Sequence, residues 1–270
     1  MAQVRVGVNG AAGRMGRAVC AAVDADAGLE LVVAVDRIGS PAADGGAPGV
    51  GDVELSGDLH AFADAACDVV VDFTVAEAAR TTLPWLGMHG IHAVVGTTGF
   101  SDDDLALFAS SFSSADEQTG PNCVIAANFA ISAVLMMRFA EMAAPHFDTA
   151  EVIELHHTDK VDAPSGTAVT TIERMAAARD SDFAADPTEV EVYPGARGGA
   201  GPRGIRAHSV RMRGMVAHQE VVLGAQGQTI TIRQDSYDRS SFMPGVVLAC
   251  RRIADHPGLT IGLDAFLDVG

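Results

Sequence analysis

The chain has 270 residues, of which 48% are apolar and 5% aromatic, enough for one or two folded domains and too apolar for wholesale disorder. A formal net charge of −17 excludes a broad basic surface for nucleic acid or an anionic membrane, so any anionic ligand must meet a local cluster of cations. Cys20, Cys67, Cys123 and Cys250 lie far apart with no Cys-x-x-Cys pair, which argues against a disulfide framework. No apolar run approaches the roughly 18 residues of a membrane helix, and no signal-peptide layout precedes the first apolar run, so a cytoplasmic protein is expected.

In chain order, Val4 to Asn9 alternates as a strand and runs into a glycine-rich turn, and small and apolar residues then recur at helical spacing from Gly13 to Val23. Leu29 to Val35 is a second strand, closed by Asp36 and Arg37. Val69 to Phe73 is a short apolar run of the kind buried parallel strands show. A helix is expected over Ala76 to Met88, a strand over Ala93 to Gly96, a helix from Ser101 and a strand over Val124 to Ala127. Strands alternating with helices predict an α/β fold with a doubly wound parallel sheet of Rossmann type. Beyond about Phe129 the texture changes. A long helix over Ile131 to His146, a strand over Glu151 to His157 and a helix from Ser165 to Ala178 precede three runs, Ala207–Arg213, Gln219–Leu223 and Gln228–Gln234, that read as strands without intervening helices. They predict a second, α+β domain with a mixed or antiparallel sheet. The Pro194 to Arg206 stretch, rich in Gly, Pro and Arg, reads as a mobile loop.

Gly10-Ala11-Ala12-Gly13-Arg14-Met15-Gly16 is a G-x-x-G-x-x-G form of the dinucleotide fingerprint, lying after a strand and opening a helix. Glycines let the backbone turn tightly and approach a pyrophosphate, whose charge meets the helix N-terminus. Asp36, twenty residues after Gly16, is placed to hydrogen-bond an adenosine ribose, and Arg37 beside it can receive a 2′-phosphate, so both NADH and NADPH are expected to bind. The competing reading is that these glycines only pack helix on strand. Gly96-Thr97-Thr98 and Ala126-Ala127-Asn128-Phe129 both follow strand ends, where ligands of such sheets sit, and are candidates to line the nicotinamide.

The second constellation runs from Glu154 to Thr167. His156 and His157 stand at a strand end and point to opposite sides, so they do not share one task. Four residues after His156 comes Lys160, the only lysine in a chain with 17 arginines. Where arginine serves almost everywhere, a retained lysine suggests a task for a compact ammonium. Pro164-Ser165-Gly166-Thr167 then opens a helix with free backbone N–H groups. Imidazole, ammonium and helix N-terminus make a receptor for a dicarboxylate, and a histidine titrating near neutrality can carry a proton. His156, His157, Asp159 and His208 could ligate a metal by type, but no H-x-x-x-H or cysteine spacing supports them, and no metal is expected.

Taken in order, the turn from Gly10, Asp72-Phe73-Thr74, Gly96-Thr97-Thr98-Gly99-Phe100, Ala127-Asn128-Phe129 and the His156–Thr167 block resemble the 4-hydroxy-tetrahydrodipicolinate reductase family, also called dihydrodipicolinate reductases, over nearly the whole chain. The resemblance implies a dinucleotide-binding domain over 1–129 that 243–270 rejoins, and a substrate-binding and oligomerisation domain over 130–242 of a homotetramer. It implies NADH- or NADPH-dependent reduction of a cyclic, unsaturated dicarboxylate in diaminopimelate and lysine biosynthesis. His156 is then the proton carrier with Lys160 as its partner, while His157, Gly166 and Thr167 hold substrate with Ser165 nearby. One departure is Val75, where many relatives carry Arg or His after the Asp-Phe-Thr segment; Arg14 and Arg37 remain as basic candidates at the cofactor. Two other functions fit the dinucleotide turn: a related two-domain NAD(P)-dependent dehydrogenase acting on another imine or amino acid, and a non-catalytic NAD(H)-sensing protein. Turnover of the cyclic dicarboxylate separates the first, and the effect of His156→Ala the second.

Overall fold

The structure is a computed structural model that describes residues 2–37, 53, 55–113 and 120–268. It divides into two compact units, Met1–Phe129 with Phe242–Gly270, and Ala130–Ser241. The first unit opens with β1 (Val4–Asn9), α1 (Arg14–Asp24), β2 (Leu29–Val35), β3 (Leu55–Ser56) and α2 (His60–Asp64). It continues through β4 (Val69–Asp72), α3 (Ala76–Met88), β5 (His92–Val95), α4 (Asp102–Ser111) and β6 (Cys123–Ile125). The second unit holds α5 (Ile131–Ala143), β7 (Thr149–His156), α6 (Gly166–Ala177), β8 (Gly199–Ala200), β9 (Arg206–Arg211), β10 (Ala217–Ala225) and β11 (Gln228–Ser236). The chain then returns to the first unit with α7 (Met243–Arg252) and β12 (Leu259–Ile261).

The first sheet runs β12-β6-β5-β4-β1-β2-β3, and every pairing in it is parallel. The Val-rich strands explain why. All four residues of β4 are buried, as a strand covered on both faces requires. On α1, Gly16, Val19, Cys20 and Val23 are buried at i, i+3, i+4 and i+7, one stripe laid on the sheet. Ser101 accepts from the Asp104 N–H while Asp104 accepts from the Ser101 N–H, a reciprocal cap that starts α4. The strand order reverses between β1 and β4, and in such sheets the crevice beyond the strand ends at that reversal takes the ligand. All four cysteines are buried free thiols, and burial pushes Cys20, Cys67 and Cys250 up to about 12 and raises Cys123 as well.

The second sheet is mixed, in the order β11-β10-β7-β9-β8. Strand β10 is antiparallel to both β11 and β7, β7 runs parallel to β9, and β8 is antiparallel to β9. Helices α5 and α6 pack on one another, with α5 against β11 and α6 against β7. The predicted helix over Ile131 to His146 ends at Ala143 and tightens to a 3₁₀ turn over Ala144–His146, because Pro145 supplies no N–H to continue it. The Pro194–Arg206 stretch is anchored rather than loose. Gly199 and Ala200 pair with β9, and Arg197 bonds Glu151 at 2.6 Å and Asp186 at 3.2 Å. Glycine content predicted a loop there; the arginines that went with it are its tethers. Among the described residues no helix is long and apolar enough to cross a membrane.

Candidate active site

The glycine turn sits at the carboxyl end of β1, in the crevice at the strand-order reversal. Gly10 has φ +78°, the left-handed region glycine adopts without strain. A Cβ on Gly16 would lie 2.1 Å from the Gly10 carbonyl oxygen, so α1 approaches the turn as closely as it does only because position 16 is bare. Gly13 caps α1 and, with Gly10, lines a cavity of about 630 Å³. Gly10, Gly13, Asp36, Arg37, Thr74 and Glu77 are among its walls. Arg14 stands exposed on the first turn of α1, with Met15 half-buried behind it, and Ala11 and Ala12 are buried beneath. The cradle and the amides suit a dinucleotide pyrophosphate.

Asp36 has a task the sequence did not reveal. Its carboxylate accepts the Ala12 N–H at 2.9 Å and the Arg37 N–H at 2.7 Å, tying the end of β2 to the glycine turn. A carboxylate has about four acceptor positions, so lone pairs remain for ribose hydroxyls. Arg37 itself is exposed beside the cavity.

Asp72, at the end of β4 and fully buried, organises the neighbouring turns. It accepts from Asn9 Nδ2 at 2.8 Å, from the Thr74 N–H and hydroxyl at 3.0 and 2.7 Å, and from the Thr97 hydroxyl at 2.9 Å. This ties three strand ends together and gives Thr97 a supporting role, while Thr98 is exposed. Gly96 lies against the Phe73 ring, where a Cβ would come within 2.0 Å. Phe73 in turn meets Phe129 at 5.8 Å between ring centres, and Ala126 bonds back to Val95, so the Ala126–Phe129 turn stands beside Gly96. Asp72→Asn turns an acceptor into a donor facing donors. It is expected to cost about 2 kcal/mol or more, read as a lower melting midpoint and weaker NADH binding.

In the second unit, His156 ends β7 and His157 stands exposed just beyond it. His156 Nδ1 is hydrogen-bonded to Glu154 Oε2, two residues back on the same face of the strand. Glu154 is 1% exposed and receives both ends of the Arg211 guanidinium, at 2.9 and 2.8 Å. Burial alone would raise the Glu154 carboxyl, but bonds from Arg211, Ser209 and His156 outweigh it and hold the group below its ordinary value. Burial draws His156 below the ordinary imidazole value, opposed by Glu154. Lys160 follows on a turn, its Nζ donating to both oxygens of Asp162 at 2.9 Å. Arg211 reaches the same turn, bonding the Lys160 carbonyl at 3.3 Å and the Asp162 carbonyl at 2.6 Å. Ser165 is buried and caps α6 by accepting the Ala168 N–H at 3.3 Å, with Gly166 exposed at the helix start and Thr167 half-buried after it. The Ser165 oxygen thus accepts from the helix backbone, while its O–H remains a donor at the helix opening.

Sequence reading therefore missed Glu154 and Arg211. Glu154 carried a faint signal, an acid two residues before His156 and so on the same face of the strand. Arg211 carried none, because it lies 57 residues from Glu154 and meets it through the pairing of β7 with β9. Among the described residues no group of three or more His, Cys, Asp or Glu side chains is placed to hold a metal ion.

A parallel sheet with a glycine cradle, an acid closing its second strand and a separate unit carrying a carboxylate-bound histidine define a two-unit, nicotinamide-dependent oxidoreductase. The N-terminal domain of dihydrodipicolinate reductase matches residues 4–129 and its C-terminal domain residues 132–267. The chain belongs to the dihydrodipicolinate reductase family, whose members use NADH or NADPH. It is 49% identical over 267 residues to the 4-hydroxy-tetrahydrodipicolinate reductase of Corynebacterium aurimucosum, covering 98% of each chain. It is 50% identical over 269 residues to that of Nocardia farcinica, covering 98% of this chain and 99% of the relative. Among solved structures, the dipicolinate-bound dihydrodipicolinate reductase from Paenisporosarcina sp. TG-14 superposes with a TM-score of 0.89 at 35% identity, covering 98% of this chain and all of that one.

Proposed function

We propose that this chain reduces 4-hydroxy-tetrahydrodipicolinate to tetrahydrodipicolinate in diaminopimelate and lysine biosynthesis, with His156 as the proton donor. The observation that carries the proton role is the bond from His156 Nδ1 to a buried, arginine-held carboxylate, which leaves Nε2 as the exchanging atom. Between the two rings the net change is one hydride and one proton in and one water out. When bound, the nicotinamide supplies that hydride.

The glycine turn, Asp36, Arg37, Gly96–Thr98 and Ala126–Phe129 would hold the cofactor in the first unit, and Arg14 stands ready at the pyrophosphate. The second unit would hold substrate, with two carboxylates received by Lys160, His157 and the opening of α6 at Gly166 and Thr167. That a relative binds dipicolinate, a flat ring with two carboxylates, supports this ligand class. Binding fixes the ring so that proton transfer needs no search, which is the main contribution such residues make. We further infer a homotetramer built through the second unit, acting in the cytoplasm where NADH and NADPH are available.

The test is NADH and NADPH oxidation with freshly generated 4-hydroxy-tetrahydrodipicolinate. Turnover with this ring, and none with simple imines or amino acids, is expected; NADH binding without turnover would leave the dinucleotide fold and remove the substrate assignment. Lys160→Arg keeps the charge but replaces a compact ammonium by a planar fork, so kcat/KM is expected to fall by about tenfold or more. An unchanged value would make the single lysine incidental.

A further inference from the structure

Glu154 and Arg211 hold His156 Nδ1, and their geometry goes beyond naming the ring nitrogen that exchanges the proton. Glu154 Oε2 meets both His156 Nδ1 and Arg211 Nη1, and Oε1 meets Arg211 Nη2. In the sheet, Arg211 is the register partner of His156 on β9, and Ser209 that of Glu154. The bidentate guanidinium keeps Glu154 ionised, and an ionised carboxylate is acceptor-only, so the proton between Glu154 and His156 belongs to the ring. The neutral imidazole is thereby held as its Nδ1–H tautomer.

We propose that Glu154, locked by Arg211, is a positioning residue that fixes the tautomer and orientation of His156 and stabilises its imidazolium while the proton waits at Nε2. The inference rests on the proton role of His156 proposed above. Its balance is simple: Nε2–H gives its proton to the ring carbon, and His156 returns to the neutral Nδ1–H form on Glu154, to be reprotonated from solvent. Arg211 links the His156 strand end to the Lys160 turn, since it also holds the backbone carbonyls of Lys160 and Asp162. The charged groups acting on His156 are Glu154 from its own strand, Arg211 from β9 and Lys160 from the following turn. On the other side, β10 contributes Ala217 as its register partner, which carries no charge.

Glu154→Gln keeps an acceptor for Nδ1–H but removes the charge that favours the imidazolium. The basic limb of the kcat–pH profile is expected to move down by about one unit or more, with KM changed less than about twofold. Glu154→Asp, which restores the charge, should recover part of the limb; a purely structural role would lower melting temperature and leave the limb in place. Histidine nitrogen-15 spectra of the unsubstituted protein provide a readout that needs no variant to fold. With His156 assigned through its own side-chain correlations, Nδ1 should carry the proton above the titration. An Nε2–H tautomer overturns the proposal. Measuring His156→Ala in parallel separates the two levels. If that variant turns over normally, the proton role and this inference both fall. If it is crippled while Glu154→Gln keeps the wild-type limb and kcat, only the inference falls.

Discussion

Replacing His156 with alanine is expected to slow turnover by about 10²-fold or more while NADH still binds, because a positioned proton donor contributes roughly two to four orders of magnitude. The pH dependence gives the sharper form of the same result. The donor must be protonated, and burial places the free-enzyme value below the ordinary imidazole range near about 6.5. As pH rises through that value the imidazolium is lost, so kcat/KM should decline on the alkaline side beginning below neutrality. A dianionic ring beside His156 favours the imidazolium, so the same limb in kcat should lie at higher pH. Both limbs should vanish in the alanine variant. A wild-type profile flat from pH 5 to 9, or coincident in kcat and kcat/KM, would remove His156 from the proton path.

The second large effect belongs to the other unit. Gly16→Ala would place a methyl 2.1 Å from the Gly10 carbonyl oxygen and 2.7 Å from the Ala11 Cα, both backbone atoms that cannot turn aside. Helix α1 must then lift from the turn, costing about 2–3 kcal/mol of packing and misdirecting the amides that face the pyrophosphate. The expected reading is a lower melting midpoint and NADH binding weakened by about 30- to 100-fold in a fluorescence titration. The substrate-side residues should be untouched, so residual turnover at saturating cofactor should keep the wild-type pH profile. Wild-type NADH affinity would show that the turn does not carry the pyrophosphate.

The cofactor half of the site was more legible than the substrate half, for a physical reason. A dinucleotide turn is local: strand, glycines, helix and closing acid follow one another within Val4 to Asp36, and each step has its own residue chemistry. Apolar periodicity likewise located β1, β2, β4, β5 and β6, because buried parallel strands are nearly unbroken Val and Ala runs. The return of α7 and β12 to that sheet left no such mark, since β12 is three residues long and pairs with β6 more than 130 positions earlier. Only resemblance indicated it. In the second unit His156 and Lys160 stood out by type and spacing, but the group that orients His156 did not. Glu154 looks like any acid in a strand until β9 brings Arg211 alongside. Asp36 shows a subtler gap: its type was informative, yet its bond to Ala12 makes it part of the turn as well as a candidate for the ribose.

The four buried thiols have a consequence for how this chain tolerates oxidants. With values pushed to about 12, roughly one in 10⁵ of the Cys20, Cys67 and Cys250 side chains is a thiolate at neutral pH. Peroxide, disulfide exchange and alkylating reagents all attack the thiolate, and here it is both scarce and enclosed. None of these thiols is then placed to serve as a redox or alkylation site, and the folded enzyme should keep its activity in the presence of iodoacetamide.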